Sequence, residues 1–408
     1  MNGKENKEIL FRRLRQALLE RLEESGEQTD EEVQACIDTL IRKESIQRSM
    51  PLRLREELFA DLFNSIRKLD ILQELVDDPE ITEIMVNGWQ NIFYEKNGQI
   101  RRWDRCFPAP ERLEDVIQEV AGACNRIVNE QRPVADARLQ NGARVNIVLP
   151  PVSLEGPILT IRRFPDDPIT METLVASGSL TREAALFLRG LVEARYSILV
   201  GGGTSTGKTT FLNALSAYIP PSERVITIED NAELQLQGLR NLVRLEAREA
   251  NMEGTSAVTI RDLIRAALRM RPDRVIIGEV RGAEAGDFLV CLNTGHDGSM
   301  GSAHANNVRE MISRLEMMVL MGMDLSVPVI RRQIAAGVEI LVHLSRDASG
   351  VRRLEEIAEI TGMEGDEVCL QTVFSRNMEG VLARTGELAH REKWDRVHGR
   401  RRAQRNPV

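Results

Sequence analysis

No stretch of this chain is built to cross a membrane. No run approaches the roughly 18 uninterrupted apolar residues of a spanning helix, and Met1 to Lys7 is polar and mixed in charge, with no apolar signal-peptide core behind it. A soluble, cytosolic protein is expected. Cysteine is sparse as well: Cys36, Cys106, Cys124, Cys291 and Cys369 are odd in number, far apart and without a C-x-x-C pair. That excludes a disulfide framework or zinc ribbon as the organising device. Basic charge is not in excess, since 54 basic residues face 62 acidic ones for a net charge of −8. Together with the lack of a basic-aromatic stretch, this argues against nucleic acid as a partner. Internal repeats and low-complexity tracts are absent too.

What remains is a chain of 408 residues, 42% of them apolar, enough for two or three domains with buried cores. Charge is uneven along it. From Arg391 to Val408 seven basic residues face only Glu392 and Asp395, a net +5. The plain reading of this tail is a solvated, disordered end; docking to an anionic membrane surface or acidic partner is the sharper one.

Residues 1–68 read as a helical module. Apolar residues recur at helical spacing from Lys7 to Ser25, Thr29 with Glu32 forms a capping-box pattern, and Leu54, Leu58, Leu62 and Ile66 stack four apart after Pro51. Residues 69–164 read as an α+β domain. Strands are expected at Ile81–Val86, Asn91–Glu95, Gln99–Trp103, Val134–Leu139, Ala143–Val148 and Ile158–Phe164, with a helix over Glu111–Val128 and turns at Asn97-Gly98 and Asn141-Gly142. Residues 165–174 form a linker opened by two prolines, Pro165 and Pro168. Residues 175–375 alternate helices and β-branched strands, the pattern of an α/β domain with a mainly parallel sheet, and 376–408 are the basic tail.

The chemistry concentrates in the α/β domain. An apolar strand, Ser197–Val200, runs into Gly202, Gly203, Thr204, Ser205, Thr206, Gly207, Lys208, Thr209 and Thr210, and a helix-like segment follows. This is G-x-x-x-x-G-K-[ST] in the context the motif demands. Glycines let backbone N–H groups turn inward around phosphates, and the helix N-terminus adds its positive dipole end. Lys208 would reach the β/γ-phosphates of ATP, and the Thr209 hydroxyl would ligate Mg²⁺. A second strand ends at Glu229 and Asp230, with Glu233 three residues on; a third, Arg274–Ile277, runs into Glu279. Acids at strand carboxyl ends beside such a loop can orient metal-bound or attacking water. His296 and His304, eight apart, match no zinc pattern; structural histidines and phosphate sensors are both open readings. Arg138, Arg144, Arg162 and Arg163 could be surface charge or fingers toward a γ-phosphate.

The order of these motifs is itself informative. The runs G-G-T-S-T-G-K-T-T, I-T-I-E-D-N-A-E, L-R-M-R-P-D-R-V-I-I-G-E-V-R-G and N-T-G-H-D-G-S-M-G-S-A-H-A-N, preceded by I-T-E-I-M-V-N-G, A-D-A-R-L-Q-N-G-A-R-V-N-I-V-L-P-P and L-T-I-R-R-F, resemble the secretion-superfamily ATPases. Within these the chain is most similar to the CpaF/TadA type of Tad and type IVc pili. The resemblance covers about three quarters of the sequence. It implies a RecA-like P-loop domain behind a sensor-like domain, ATP and Mg²⁺ between them, a homohexameric ring, and an integral-membrane platform partner. It implies an acidic box beginning at Glu229 and Asp230, with Glu233 activating water. It also implies Glu279 as the second nucleotide motif, a histidine box at His296 and His304, and phosphate-facing arginines among Arg138, Arg144, Arg162 and Arg163. A hinge is expected over Pro165–Thr170. The sequence departs from the pattern at Ser205 and Thr206, where many relatives carry Gly-Ser, at Ser302-Ala303 and at Arg67–Leu72. A DNA-transfer type secretion ATPase is the alternative machine; a RecA-like nucleic-acid motor and a non-hydrolysing scaffold are weaker rivals.

Overall fold

The computed structural model describes the chain apart from residues 1–2, 26–27, 48–49, 97, 125, 140–141, 164–168, 249–256, 348–349, 378 and 406–408. It divides into two compact units, Met1–Asp166 and Asp167–Val408. The expected turns at Asn97 and Asn141 and the first residues of the connector lie outside the described residues.

The first unit opens with three helices, α1 (Gly3–Ser25), α2 (Asp30–Gln47) and α3 (Leu52–Arg67). Leu14, Leu18, Val33, Ile37, Leu58 and Leu62 interlock there, which is the stripe the four-residue spacing foretells. A short α4 (Gln73–Asp77) leads into β1 (Ile81–Asn87), β2 (Asn91–Lys96) and β3 (Gln99–Arg102). Then come α5 (Pro110–Ala123), β4 (Val134–Arg138), β5 (Arg144–Val148) and β6 (Ile158–Arg162). The six strands form one antiparallel sheet in the order β3-β2-β1-β6-β5-β4. Alternate residues such as Val145, Ile147, Leu159 and Ile161 face its core. Helix α5 ends five residues earlier than its apolar pattern suggests. The Cys124 N–H closes the last turn onto Val120 and Ala121, and Val128 is buried from the following loop instead.

The second unit runs α6 (Met171–Ala176), α7 (Arg182–Glu193), β7 (Ile198–Gly202), α8 (Lys208–Ser216), β8 (Arg224–Glu229), β9 (Asn241–Glu246) and α9 (Ile260–Ala267). It continues with β10 (Arg274–Val280), α10 (Glu284–Asn293), β11 (Met300–His304), α11 (Val308–Gly322), α12 (Val327–Gly337) and β12 (Ile340–Arg346). The last elements are β13 (Arg352–Glu364), β14 (Glu367–Arg376), β15 (Leu382–Arg384) and α13 (Glu392–Arg405). The nine-stranded sheet has the order β15-β14-β13-β12-β7-β11-β10-β8-β9. From β12 to β9 neighbouring strands are parallel; β13, β14 and β15 add an antiparallel wing. Helices cover both faces, so β7 is buried at every position. This is the α/β, RecA-like arrangement expected, with the glycine-rich loop leaving the middle of the sheet.

Described residues of the tail are tied into the second unit, where a solvated end was the plain expectation. Strand β15 extends the sheet, and α13 packs its Trp394 against Phe187, ring centroids 5.5 Å apart, over Gly190, where a Cβ would meet the indole at 2.4 Å. Tyr196 Oη donates to the His390 carbonyl at 2.7 Å, and Lys393 Nζ reaches Asp297 and Glu339 at 2.9 Å each. Charge composition hid an apolar anchor, Trp394 and Val397, on one helix face.

Candidate functional site

A parallel sheet aligns all its carboxyl ends, and here that edge gathers most of the expected chemistry. Strand β7 delivers Gly202, β8 Glu229, β10 Glu279 and β11 His304, while α8 begins at Lys208. The loop turns because its residues permit it. A Cβ on Gly202 would lie 2.6 Å from the Leu344 carbonyl oxygen, and Gly207 has φ +90°. Ser205, at the position where the resemblance expects glycine, takes the same left-handed region with φ +58°. Thr206 Oγ1 donates to the Gly203 carbonyl at 3.0 Å. Thr204 is exposed, and Thr209 and Thr210 are half-buried in the first turn of α8.

Lys208 is the centre of the cluster and is only 8% exposed. Its Nζ donates to the carbonyls of Gly202 (3.2 Å) and Gly203 (3.0 Å), and lies 3.4 Å from His304 Nδ1 and 3.6 Å from Glu279 Oε1. Burial lowers its pKa from the ordinary lysine value, against the opposing pull of Glu279. Glu279 also accepts from Arg281 Nε at 2.6 Å, and its Oε1 is 2.8 Å from His304 Nε2. Burial, then the Lys208 charge, lowers the pKa of His304. A neutral imidazole with Nδ1 turned to the ammonium and Nε2–H to the carboxylate suits both neighbours.

The acidic box divides into different jobs. Glu229 is buried, and its Oε2 accepts from the backbone N–H groups of Glu233 and Leu234 at 2.8 Å each. Burial pushes its pKa up to about 7 in spite of those two donors. Its side chain fills the space beside Gly278, where a Cβ would meet Glu229 Cγ at 2.8 Å. Glu229 is therefore the peg that shapes the turn carrying Glu233. Asp230 is exposed and lies 3.7 Å from Arg281. Glu233 is half-buried, and its charge acts on both Lys208 and Arg281.

The two histidines part company. His304 ends β11 at this edge. His296 precedes β11 at the opposite edge, with Nδ1 3.2 Å from the Cys291 carbonyl and 3.4 Å from Thr294 Oγ1, closing the end of α10. In the first unit, register places Arg138 opposite Arg144 and Arg144 opposite Arg162, so three arginines line up across β4, β5 and β6. Arg138 Nε donates to the Gly142 carbonyl at 3.2 Å. Arg163 is turned elsewhere, donating to the Asp78 carbonyl at 2.5 Å.

Sequence reasoning missed Arg281, although it stands two residues beyond Glu279 and so leaves β10 on the same side. It also missed Arg352, whose Nε donates to the Ser205 carbonyl at 3.1 Å from 147 residues away. The arrangement fits a nucleotide's phosphates: a glycine-rich loop, a helix N-terminus and a buried lysine held by loop carbonyls, His304 and one carboxylate 3.6 Å away. Glu279 Oε1 is buried between His304 Nε2 at 2.8 Å and Lys208 Nζ at 3.6 Å. Among the described residues no three His, Cys, Asp or Glu side chains cluster as metal ligands. Mg²⁺ characteristically relies on one or two protein groups plus phosphate oxygens, so Thr209 and Glu279 fit such a site.

Residues 66–391 match the family model described as type II/IV secretion system protein. The chain belongs to that family. It is accordingly a secretion ATPase with a RecA-like fold. A putative conjugal transfer protein of Mycobacterium tuberculosis is 38% identical over 301 residues, covering 72% of this chain and 85% of the relative. The type IV secretion system protein VirB11 of Brucella suis is 35% identical over 323 residues, covering 71% and 88%. The X-ray structure of the Legionella pneumophila ATPase DotB has a TM-score of 0.51 at 17% identity, covering 71% of this chain and 79% of that one; it bears on the fold alone. Among the described residues of this secretion ATPase, no helix is long and apolar enough to cross a membrane.

Proposed function

We propose that this secretion ATPase is a CpaF/TadA-type motor for Tad or type IVc pilus assembly. It works in the cytoplasm as a homohexamer against an integral-membrane platform protein, without nucleic acid. The motif order supports the subtype, and the convergence of Lys208, Glu279 and His304 on one loop carries the chemistry. A type IV secretion machine is the second reading, favoured by the relatives named for conjugal transfer and VirB11.

In the proposed reaction Lys208 leaves its loop carbonyls for the β/γ-phosphates of ATP, and the inward N–H groups from Gly203 to Thr210 hold their oxygens. Mg²⁺, held through Thr209 and Glu279, would neutralise charge on the transferred group. Glu233 orients the attacking water and takes its proton as the bond between γ-phosphorus and the bridging oxygen breaks, releasing ADP and phosphate. His304 couples Lys208 to Glu279. The resemblance supports Arg138, Arg144, Arg162 and Arg163 as candidates for sensing the γ-phosphate.

The test is ATP hydrolysis as a function of the protein's own concentration, with mass in solution read alongside. Specific activity should rise as a six-subunit species appears. Full activity in a monomer would remove the ring from the account and leave the P-loop chemistry alone.

A further inference from the structure

Strand β12 pairs in parallel with β7, Leu344 opposite Gly202, and β13 returns antiparallel with Arg352 opposite Arg346. The turn between them therefore stands beside the phosphate loop. Its described residues are bonded to one another and to the strands. Asp347 N donates to the Val351 carbonyl and Val351 N to Asp347 Oδ1, each at 2.9 Å. Arg353 Nε donates to Asp347 Oδ2 at 2.9 Å, and Arg346 Nε to the Gly350 carbonyl at 3.1 Å.

From the start of β13 Arg352 crosses to the loop. Its Nε donates to the Ser205 carbonyl at 3.1 Å, and its Cδ lies 3.2 Å from where a Cβ on Gly207 would sit. Ser205 and Gly207 are the two residues of the loop with left-handed backbone. Glycine enters that region freely, whereas serine carries a Cβ that disfavours it. A loop whose N–H groups must face phosphate oxygens depends on both residues keeping that conformation.

We propose that Arg352 is a positioning residue for the phosphate loop: it clamps Ser205 and Gly207 in left-handed backbone, keeping the loop open for nucleotide. The clamp compensates for a serine at a position suited to glycine. It rests on the ATPase reading above but involves a residue outside the loop and its strand-end acids. Arg352 is a long, exposed side chain, and it reaches the one non-glycine left-handed residue of the loop.

The test is a double-mutant cycle on the full chain, read by binding of a fluorescent ADP with Mg²⁺ and by steady-state ATP hydrolysis. Arg352→Ala should weaken nucleotide binding about three- to tenfold, the scale of one such hydrogen bond. The change should appear in KM, with kcat within about twofold. In a Ser205→Gly background the same Arg352→Ala change should cost less than about twofold, because glycine needs no clamp. Arg352→Lys, which keeps the stem over Gly207 and a donor at its end, should recover part of the loss and guards against a misfolded alanine variant. An equal loss in both backgrounds, or none with Ser205 present, overturns the clamp while leaving the ATPase intact. A wild-type protein that binds no nucleotide would overturn the ATPase reading itself, a separate result.

Discussion

At the amino edge of the parallel sheet Arg274 is fully buried, and its guanidinium is matched on both sides. Nε and Nη2 bond the two oxygens of Glu223 at 2.6 and 3.2 Å, and Nη1 bonds the Gly298 carbonyl at 3.2 Å. Nearby, Lys393 is shared between Asp297 and Glu339. At the carboxyl edge Lys208 is nearly as buried, yet its closest carboxylate oxygen stands 3.6 Å away and its donors are spent on loop carbonyls. The same sheet thus buries charge in two ways. Where partners are complete, the charge holds the fold together. Where they are incomplete and proton affinities are displaced, the charge is held ready for a ligand.

Breaking each edge should therefore break something different. After the loss of Lys208 itself, the largest effect is expected from Glu279→Gln at the carboxyl edge: turnover falls roughly 10²-fold while the thermal midpoint stays close to that of the wild type, both read on the same preparation. At the amino edge, Arg274→Ala leaves Glu223 largely buried and unpaired. Unfolding free energy should drop by about 3–5 kcal/mol in urea titrations, with activity per folded molecule preserved.

Glu229 sharpens the contrast, because its role is structural although it sits at the carboxyl edge. Its folded-state pKa of about 7 lies above the ordinary 4.5. Stability from this group is thus complete below about pH 4.5 and is lost as pH rises through 7. The loss is at most on the order of 3 kcal/mol, at about 1.4 kcal/mol per pH unit. Glu229→Gln cannot titrate, so its unfolding free energy should change less than the wild type's between pH 5 and pH 8. An identical pH profile would remove the buried-acid assignment. The smallest effect separates the histidines. His304→Ala should slow turnover by about tenfold, and His296→Ala by less than about twofold, in parallel steady-state assays.

The candidate site was legible in the sequence where chemistry and backbone share a short segment. The loop from Gly202 to Thr210 and the strand-end acids Glu229 and Glu279 carry their local structural reasons with them. So does the alternation that gives the nine-stranded sheet its parallel core. The rest depends on tertiary placement. Nothing local distinguishes His296 from His304, because β11 sends one to each edge. Glu229 and Glu233 look alike until the turn buries one of them. The anchoring of α13 by Trp394 is hidden behind arginines, and Arg352 reaches Ser205 only through pairing of β12 with β7. The row of Arg138, Arg144 and Arg162 emerges from strand register, which a hairpin signal at a single turn does not specify.

Hydrolysis of ATP at the carboxyl edge around Lys208 carries the proposed function. It is tested most directly by comparing turnover and thermal stability of the wild type and Lys208→Ala side by side. Turnover of Lys208→Ala should fall roughly 10³-fold, the scale of removing a preorganised charge from a phosphoryl-transfer site. Its melting midpoint should be as high as the wild type's, because the lysine's burial is poorly compensated. A Lys208→Ala protein that still hydrolysed ATP at the wild-type rate would contradict that assignment.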